Sequence, residues 1–110
     1  MKITNQQMVN FVNMVSGHKG KSGIIEKNIP MKLFSALDLN VKALLPAAET
    51  YNKQRNECND ADALTELLKI EVEAVIQTVP EEIFERMDES DKFDALTGSE
   101  YSALQFMITK

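Results

Sequence analysis

Apolar residues recur at helical spacing near both ends of the chain, and the same capping chemistry introduces each run. Thr4 and Gln7 stand three apart, as in a capping box, where a threonine hydroxyl and a glutamine satisfy each other's free backbone donors. Ile3 before the cap and Met8 at the fourth helical position fit the accompanying hydrophobic staple. Met8, Phe11, Val12 and Val15 then form one apolar stripe, and Gly17 is a natural stop, so the pattern predicts a helix from Asn5 to Ser16. Near the other end, Thr97 and Glu100 make a second capping box with Leu96 and Tyr101 as its staple. Ala103, Leu104, Met107 and Ile108 follow as its buried face. The match is one of capping chemistry, because no repeat unit links the two segments.

Between them the period changes several times. Gly17 to Gly23 reads as a flexible loop, and Ile24, Ile25 and Ile29 suggest a short strand before Pro30. Phe34, Leu37, Val41, Leu44, Ala48 and Tyr51 then alternate steps of three and four, a heptad-like seam on a helix from about Met31 to Glu57. Continuous, that helix would be roughly 40 Å long, but Pro46 removes the hydrogen bond to the Lys42 carbonyl and is expected to kink or split it. Asn59 or Asp60 can cap a further short helix carrying Leu64, Leu67 and Leu68. Ile70, Val72, Ala74 and Ile76 alternate with Glu71, Glu73, Val75 and Gln77, the period-two signal of a half-buried strand. Pro80 ends that run and opens a helix from Glu81 to about Met87, whose first acids suit the positive end of the helix dipole. Asp88 to Asp94 reads as a charged turn.

The implied fold is a single α+β domain over residues 1–110, mainly helical, with a long central helix and a small two-stranded sheet. Two short strands are marginal alone and leave unpaired backbone groups at their edges. Either helices cover those edges or another chain does, which raises homodimerisation through the sheet edge or the helix seam.

Composition narrows the class. Hydrophobic residues make up 44% and charged residues 26%, outside the range of disordered chains. No apolar run approaches the ~18 residues of a membrane helix, the N-terminal residues lack the apolar stretch of a signal peptide, and a single cysteine excludes an internal disulfide. The expectation is a soluble protein of a reducing compartment with no membrane association. Charge divides by half: residues 1–55 hold eight Lys/Arg and three acids, whereas residues 56–110 hold four and fourteen. Such asymmetry marks either a charged interaction surface or an ordinary solvated face.

Candidate chemistry mostly fails on spacing. Gly20-Lys21-Ser22 resembles the end of a phosphate-binding loop, but the required glycine is replaced by Val15, and a helix precedes where a strand should. His18 has no nucleophile or orienting group in its local sequence, and the acids near Cys58 oppose a reactive thiolate. A calcium loop starting at Asp88 would place Lys92 and Phe93 at its fifth and sixth positions and Ser99 at its twelfth, so that reading is rejected. Paired carboxylates abound, but nothing sets two of them across a cleft as glycosidic chemistry needs. Lys19, Lys21, Lys27 and Lys32 lack interleaved aromatics, and the overall acidity opposes direct nucleic-acid binding. No cofactor or metal is implied, and the expectation is a protein that is not an enzyme.

Met1-Lys2-Ile3-Thr4-Asn5, Ile29-Pro30-Met31-Lys32-Leu33, Leu67-Leu68-Lys69-Ile70-Glu71-Val72-Glu73 and Ser99-Glu100-Tyr101-Ser102-Ala103-Leu104-Gln105-Phe106-Met107-Ile108 together resemble a family of small uncharacterised phage and prophage proteins of Gram-positive bacteria. None of these blocks is a catalytic signature, and the loop at 17–23 lies outside the resemblance. What it implies is origin: a phage accessory or assembly protein working in the cytoplasm of its bacterial host. The expected function is an interaction protein that binds a host macromolecule, for instance inhibiting a defence nuclease, and the alternative is a virion tail component or assembly factor. The candidate partner-binding residues are the acids of the strand and of the helix after it: Glu71, Glu73, Glu81, Glu82, Glu85, Asp88, Glu89 and Asp91. They fall on two surfaces, the strand edge around Ile70–Val79 and the acidic segment Glu81–Asp94.

Overall fold

The computed structural model describes residues 1–110 and has the α+β architecture expected. The chain order is β1 (Lys2–Thr4), α1 (Asn5–Ser16), α2 (Met31–Asn56), α3 (Ala61–Lys69), β2 (Glu71–Glu73), β3 (Val79–Pro80), α4 (Glu82–Glu89), α5 (Gly98–Ala103) and β4 (Ile108–Thr109). Both capping boxes form: Thr4 and Gln7 close the start of α1, and Thr97 and Glu100 the start of α5. Asp60 caps α3 by accepting from the Ala63 amide at 2.7 Å.

Helix α2 sets the long dimension of the molecule, about 39 Å for 26 residues against a greatest extent of 47 Å. It runs through Pro46 without a break. Lys42 and Pro46 both lie on the exposed face, so the carbonyl that the proline leaves without a donor is reached by water. The buried stripe is turned slightly from the expected seam. Leu33, Ala36, Leu37, Asn40, Leu44 and Tyr51 face the core, Val41 and Ala48 flank it, and Phe34 is 43% exposed. Leu33 takes the place expected of Phe34 because a straight helix advances 3.6 residues per turn, not 3.5.

The sheet differs from expectation in its partners. Ile24–Glu26 is a 3₁₀ turn with Ile24 buried, not a strand, and Ile29 enters the core from an extended connector. The strand that β2 pairs with is the N-terminal segment β1, antiparallel, with Ile3 opposite Val72. The alternating run after Ile70 is a strand only over Glu71–Glu73. Beyond it the chain has no regular structure until Val79–Pro80, where β3 pairs in parallel with β4. The alternation reports half-burial at Val72, Ala74 and Ile76, which pack against the core, but not at Ile70, which is 51% exposed; a ladder also needs a neighbouring strand, and none is available there. Asn40 substitutes for one. Its amide Nδ2 donates to the Gln77 carbonyl at 2.9 Å, and its Oδ1 accepts from the Gln77 amide at 2.7 Å. The carboxamide thus reads Gln77 as a strand would, and pins the segment that leads into α4.

The glycine-rich loop at 17–23 is a closed turn instead of an open connector. His18 and Lys21 exchange both backbone hydrogen bonds around Lys19 and Gly20, which have φ of 52° and 80°. A side chain at Gly23 would place its Cβ 2.0 Å from the Val15 carbonyl oxygen, so only glycine lets the turn lie against the end of α1.

One core joins all these elements. Met8, Phe11 and Val15 of α1 meet Leu33, Leu37 and Leu44 of α2, with Ile3, Ile24, Leu67, Val79, Met87, Leu104 and Met107 closing around them. Phe11 and Phe106 pack edge to face at 5.1 Å. No helix is long and apolar enough to cross a membrane.

Candidate functional site

The acids with most to offer chemically lie on α4, and the sequence explains their grouping. Glu81, Glu85 and Asp88 are spaced by four and three, so they follow one edge of the helix, while Ile83, Phe84 and Met87 turn inward and are buried. The helix is fixed at its start by β3 and β4: the Glu81 amide donates to the Thr109 carbonyl at 2.9 Å. Opposite stands the segment Leu96–Tyr101, the staple and cap of α5. Phe84 and Tyr101 meet edge to face, with ring centroids 5.3 Å apart.

Between the two walls lies a groove of about 290 Å³. Phe84, Met87, Leu96 and Tyr101 form its apolar lining, and Glu81, Glu85 and Asp88 its acidic rim, with Thr97 and Gly98 at one end. None of the three rim acids forms an ion pair within the chain. Gly98 also borders a shallower hollow of about 650 Å³ lined by Asn10, Met14, Ser99, Ser102 and Ala103, which holds no ionisable side chain.

The far wall of the groove is positioned from the basic half of the chain. Lys27 donates to Glu100 Oε1 and to the Ala95 carbonyl, both at 3.0 Å. The Asn28 amide donates to Asp94 Oδ2 at 2.8 Å, the Asp94 amide returns a bond to the Asn28 carbonyl at 2.9 Å, and Asn28 Nδ2 donates to the Lys92 carbonyl. Residues 27 and 28 therefore clasp 92–95 and set Leu96 and Thr97 where the groove needs them. Burial works to raise the Glu100 carboxyl, but the Thr97 amide and the Lys27 ammonium outweigh it and hold the group below its ordinary value.

The eight acids singled out from sequence thus separate. Glu81, Glu85 and Asp88 come together on the groove. Glu82 faces away and reaches Arg86 at 3.9 Å, while Glu89 and Asp91 are exposed and outside the lining. Glu71 and Glu73 sit on β2 and take no part in it. Glu73 accepts from the Met1 amino group at 2.9 Å, a bond and a positive charge that hold its carboxyl below the usual carboxylate range. Of the groove's apolar lining the sequence marks only Leu96 and Tyr101, and those as a staple, not as a site. His18 is exposed on its turn, and the half-buried Cys58 thiol donates to the Gln54 carbonyl at 3.4 Å. No group of three or more His, Cys, Asp or Glu side chains is placed to hold a metal ion.

Comparison of the chain with protein-family models, with curated proteins and with solved structures gave no match.

Proposed function

We propose that the protein is a phage- or prophage-encoded interaction protein that works without catalysis, in the cytoplasm of a bacterial host, by binding a host macromolecule through the groove beside α4. The observation that carries this reading is the unpaired acidic rim over an aromatic lining. Carboxylates left without partners beside half-buried apolar side chains such as Leu96 and Tyr101 gain most when a complementary, positively charged surface covers both. Surfaces that grip nucleic acid are positively charged, so a defence nuclease is a fitting target for such a face.

A second reading, a virion tail component or assembly factor, is favoured by a different observation. Met31, Phe34 and Leu45 are 84%, 43% and 49% exposed on the outer side of α2, apolar positions to either side of the Asp38–Lys42 ion pair that a further copy or another virion protein could cover.

A tagged protein used to capture partners from lysate of phage-infected cells, with mass spectrometry of what is bound, separates the two. Stoichiometric capture of a host protein supports the first reading. Capture of phage morphogenesis proteins, or of untagged copies alone, supports the second and removes the first.

A further inference from the structure

We infer that the groove between α4 and Leu96–Tyr101 receives an arginine side chain from a basic segment of the partner protein. The inference rests on the reading that this groove is the contact surface, and adds the chemistry of what enters it.

The lining and the rim make different demands, and one side chain meets both. Leu96 and Tyr101 are half-buried and offer apolar surface over a floor made by the buried Phe84 and Met87, with the Tyr101 ring as a surface for stacking. Glu81, Glu85 and Asp88 stand along one side of it with no cation of their own. An aliphatic occupant would strip water from three carboxylates and return nothing, which opposes its entry. A phosphate or nucleic-acid backbone would meet like charge. A bare metal ion lacks a ligand cluster. A long cationic side chain lays its methylenes on the lining and its charge on the rim.

Between the two long cations, arginine fits better. Its planar guanidinium stacks on an aromatic ring, is less strongly hydrated than an ammonium, and presents a fork of donors that can bridge two carboxylates. Glu85 and Asp88 are one helical step apart and Glu81 one turn earlier, so such donors meet two acceptors at once. The chain has two arginines: Arg86 lies on α4 itself, 3.9 Å from Glu82, and Arg55 stands near the end of α2 two residues before Glu57, so a second copy offers one arginine at most and a different protein is the better donor.

The test uses two blocked pentapeptides of equal charge, Gly-Arg-Gly-Arg-Gly and Gly-Lys-Gly-Lys-Gly, titrated into the ¹⁵N-labelled protein and followed by NMR. The expected result is saturable shifts at the amides of Phe84, Glu85 and Leu96–Gly98, with the arginine peptide binding about fivefold or more tightly than the lysine peptide. Glu85→Gln with Asp88→Asn should weaken the arginine peptide at least about tenfold. Tyr101→Leu, at unchanged charge, should weaken it about fivefold. The comparison of the two peptides on the wild-type protein needs no variant, so an unstable substitution cannot obscure the answer.

Equal affinity for both peptides overturns the inference, as do shifts spread evenly over Glu49, Asp62 and Glu66, or no saturable shift at all. Concentration-dependent shifts at the groove without peptide would make a second copy the occupant and overturn it too. If the peptides fail while capture of a partner still depends on Glu85 and Asp88, the arginine is wrong and the groove stands. If capture ignores Glu85 and Asp88, the groove reading itself falls.

Discussion

Asn40 is the residue whose removal speaks most directly to how the groove is held. It is fully buried on α2, and its carboxamide exchanges two hydrogen bonds with the backbone of Gln77, at 2.7 and 2.9 Å, besides a weak contact from Nδ2 to Met107 Sδ at 3.5 Å. Gln77 lies in the segment between β2 and β3, just ahead of the β3–β4 pairing and the Glu81–Thr109 bond that fix the start of the helix carrying the acidic rim. Asn40→Ala deletes both bonds, about 1 kcal/mol each, and leaves a small void in the core. The Gln77 groups it abandons are partly within reach of water, which keeps the penalty for unpaired polar atoms modest. The sum is about 2–4 kcal/mol, equivalent to roughly 8–16 °C in melting temperature for a domain of this size. Asn40→Leu restores volume without the bonds, so the difference between the two variants isolates packing. Thermal and urea melts measure the loss, and amide hydrogen exchange at Gln77 locates it: the Gln77 amide should lose its protection in either variant while those of α1 fall only with global stability. If Asn40→Leu melts within about 2 °C of wild type and Gln77 stays protected, the clamp contributes nothing and the segment is held by apolar contacts alone.

Three further outcomes are expected. Glu100→Gln weakens the tie to Lys27 and one arm of the α5 capping box, at a cost of about 1.5–3 kcal/mol at neutral pH. Because the folded-state carboxyl of Glu100 titrates below its unfolded value of about 4.3, its contribution is complete above that pH and fades as pH falls through the folded value; urea melts of the two proteins should therefore converge in acid. Pro46→Ala restores the helical bond to the Lys42 carbonyl on the exposed face of α2 and should raise stability by about 1–3 kcal/mol; a lower melting temperature would mean that the proline has a packing role. Val72→Lys puts a charge on the half-buried position opposite Ile3 and should cost about 1–3 kcal/mol; an unchanged melting temperature and mass would show that β2 does not need its inner face.

What could be read from sequence follows the range of the interaction. Capping boxes, staples and the apolar stripe of α1 act over three to five residues, and they place Asn5–Ser16 and the start of α5 with the observed bounds. The pairing of β2 with β1 joins residues about seventy positions apart, and no local pattern reports it. Ile24 and Ile29 look like a strand because β-branched residues favour one, yet both are buried by a 3₁₀ turn and a connector instead. The candidate acids show the same limit. A spacing of four and three puts Glu81, Glu85 and Asp88 on one edge of α4, which was legible. The wall opposite depends on Lys27 and Asn28 clasping residues 92–95 across the fold, which was not. The sequence does carry one long-range signal: Asn40 stands between Leu37 and Leu44 on the buried stripe of a helix, where an amide has to find a hydrogen-bond partner.

Photocrosslinking tests at the residue level whether partners meet this protein at the groove beside α4. Benzoylphenylalanine replaces Leu96 in the groove lining in one protein and the exposed Val75 in another, and each is irradiated in lysate of phage-infected cells. The expected result is one discrete adduct from position 96, competed away by excess wild-type protein and absent when Glu85→Lys and Asp88→Lys are added, with none from position 75. A discrete, competable adduct from position 75 and none from position 96 would contradict it.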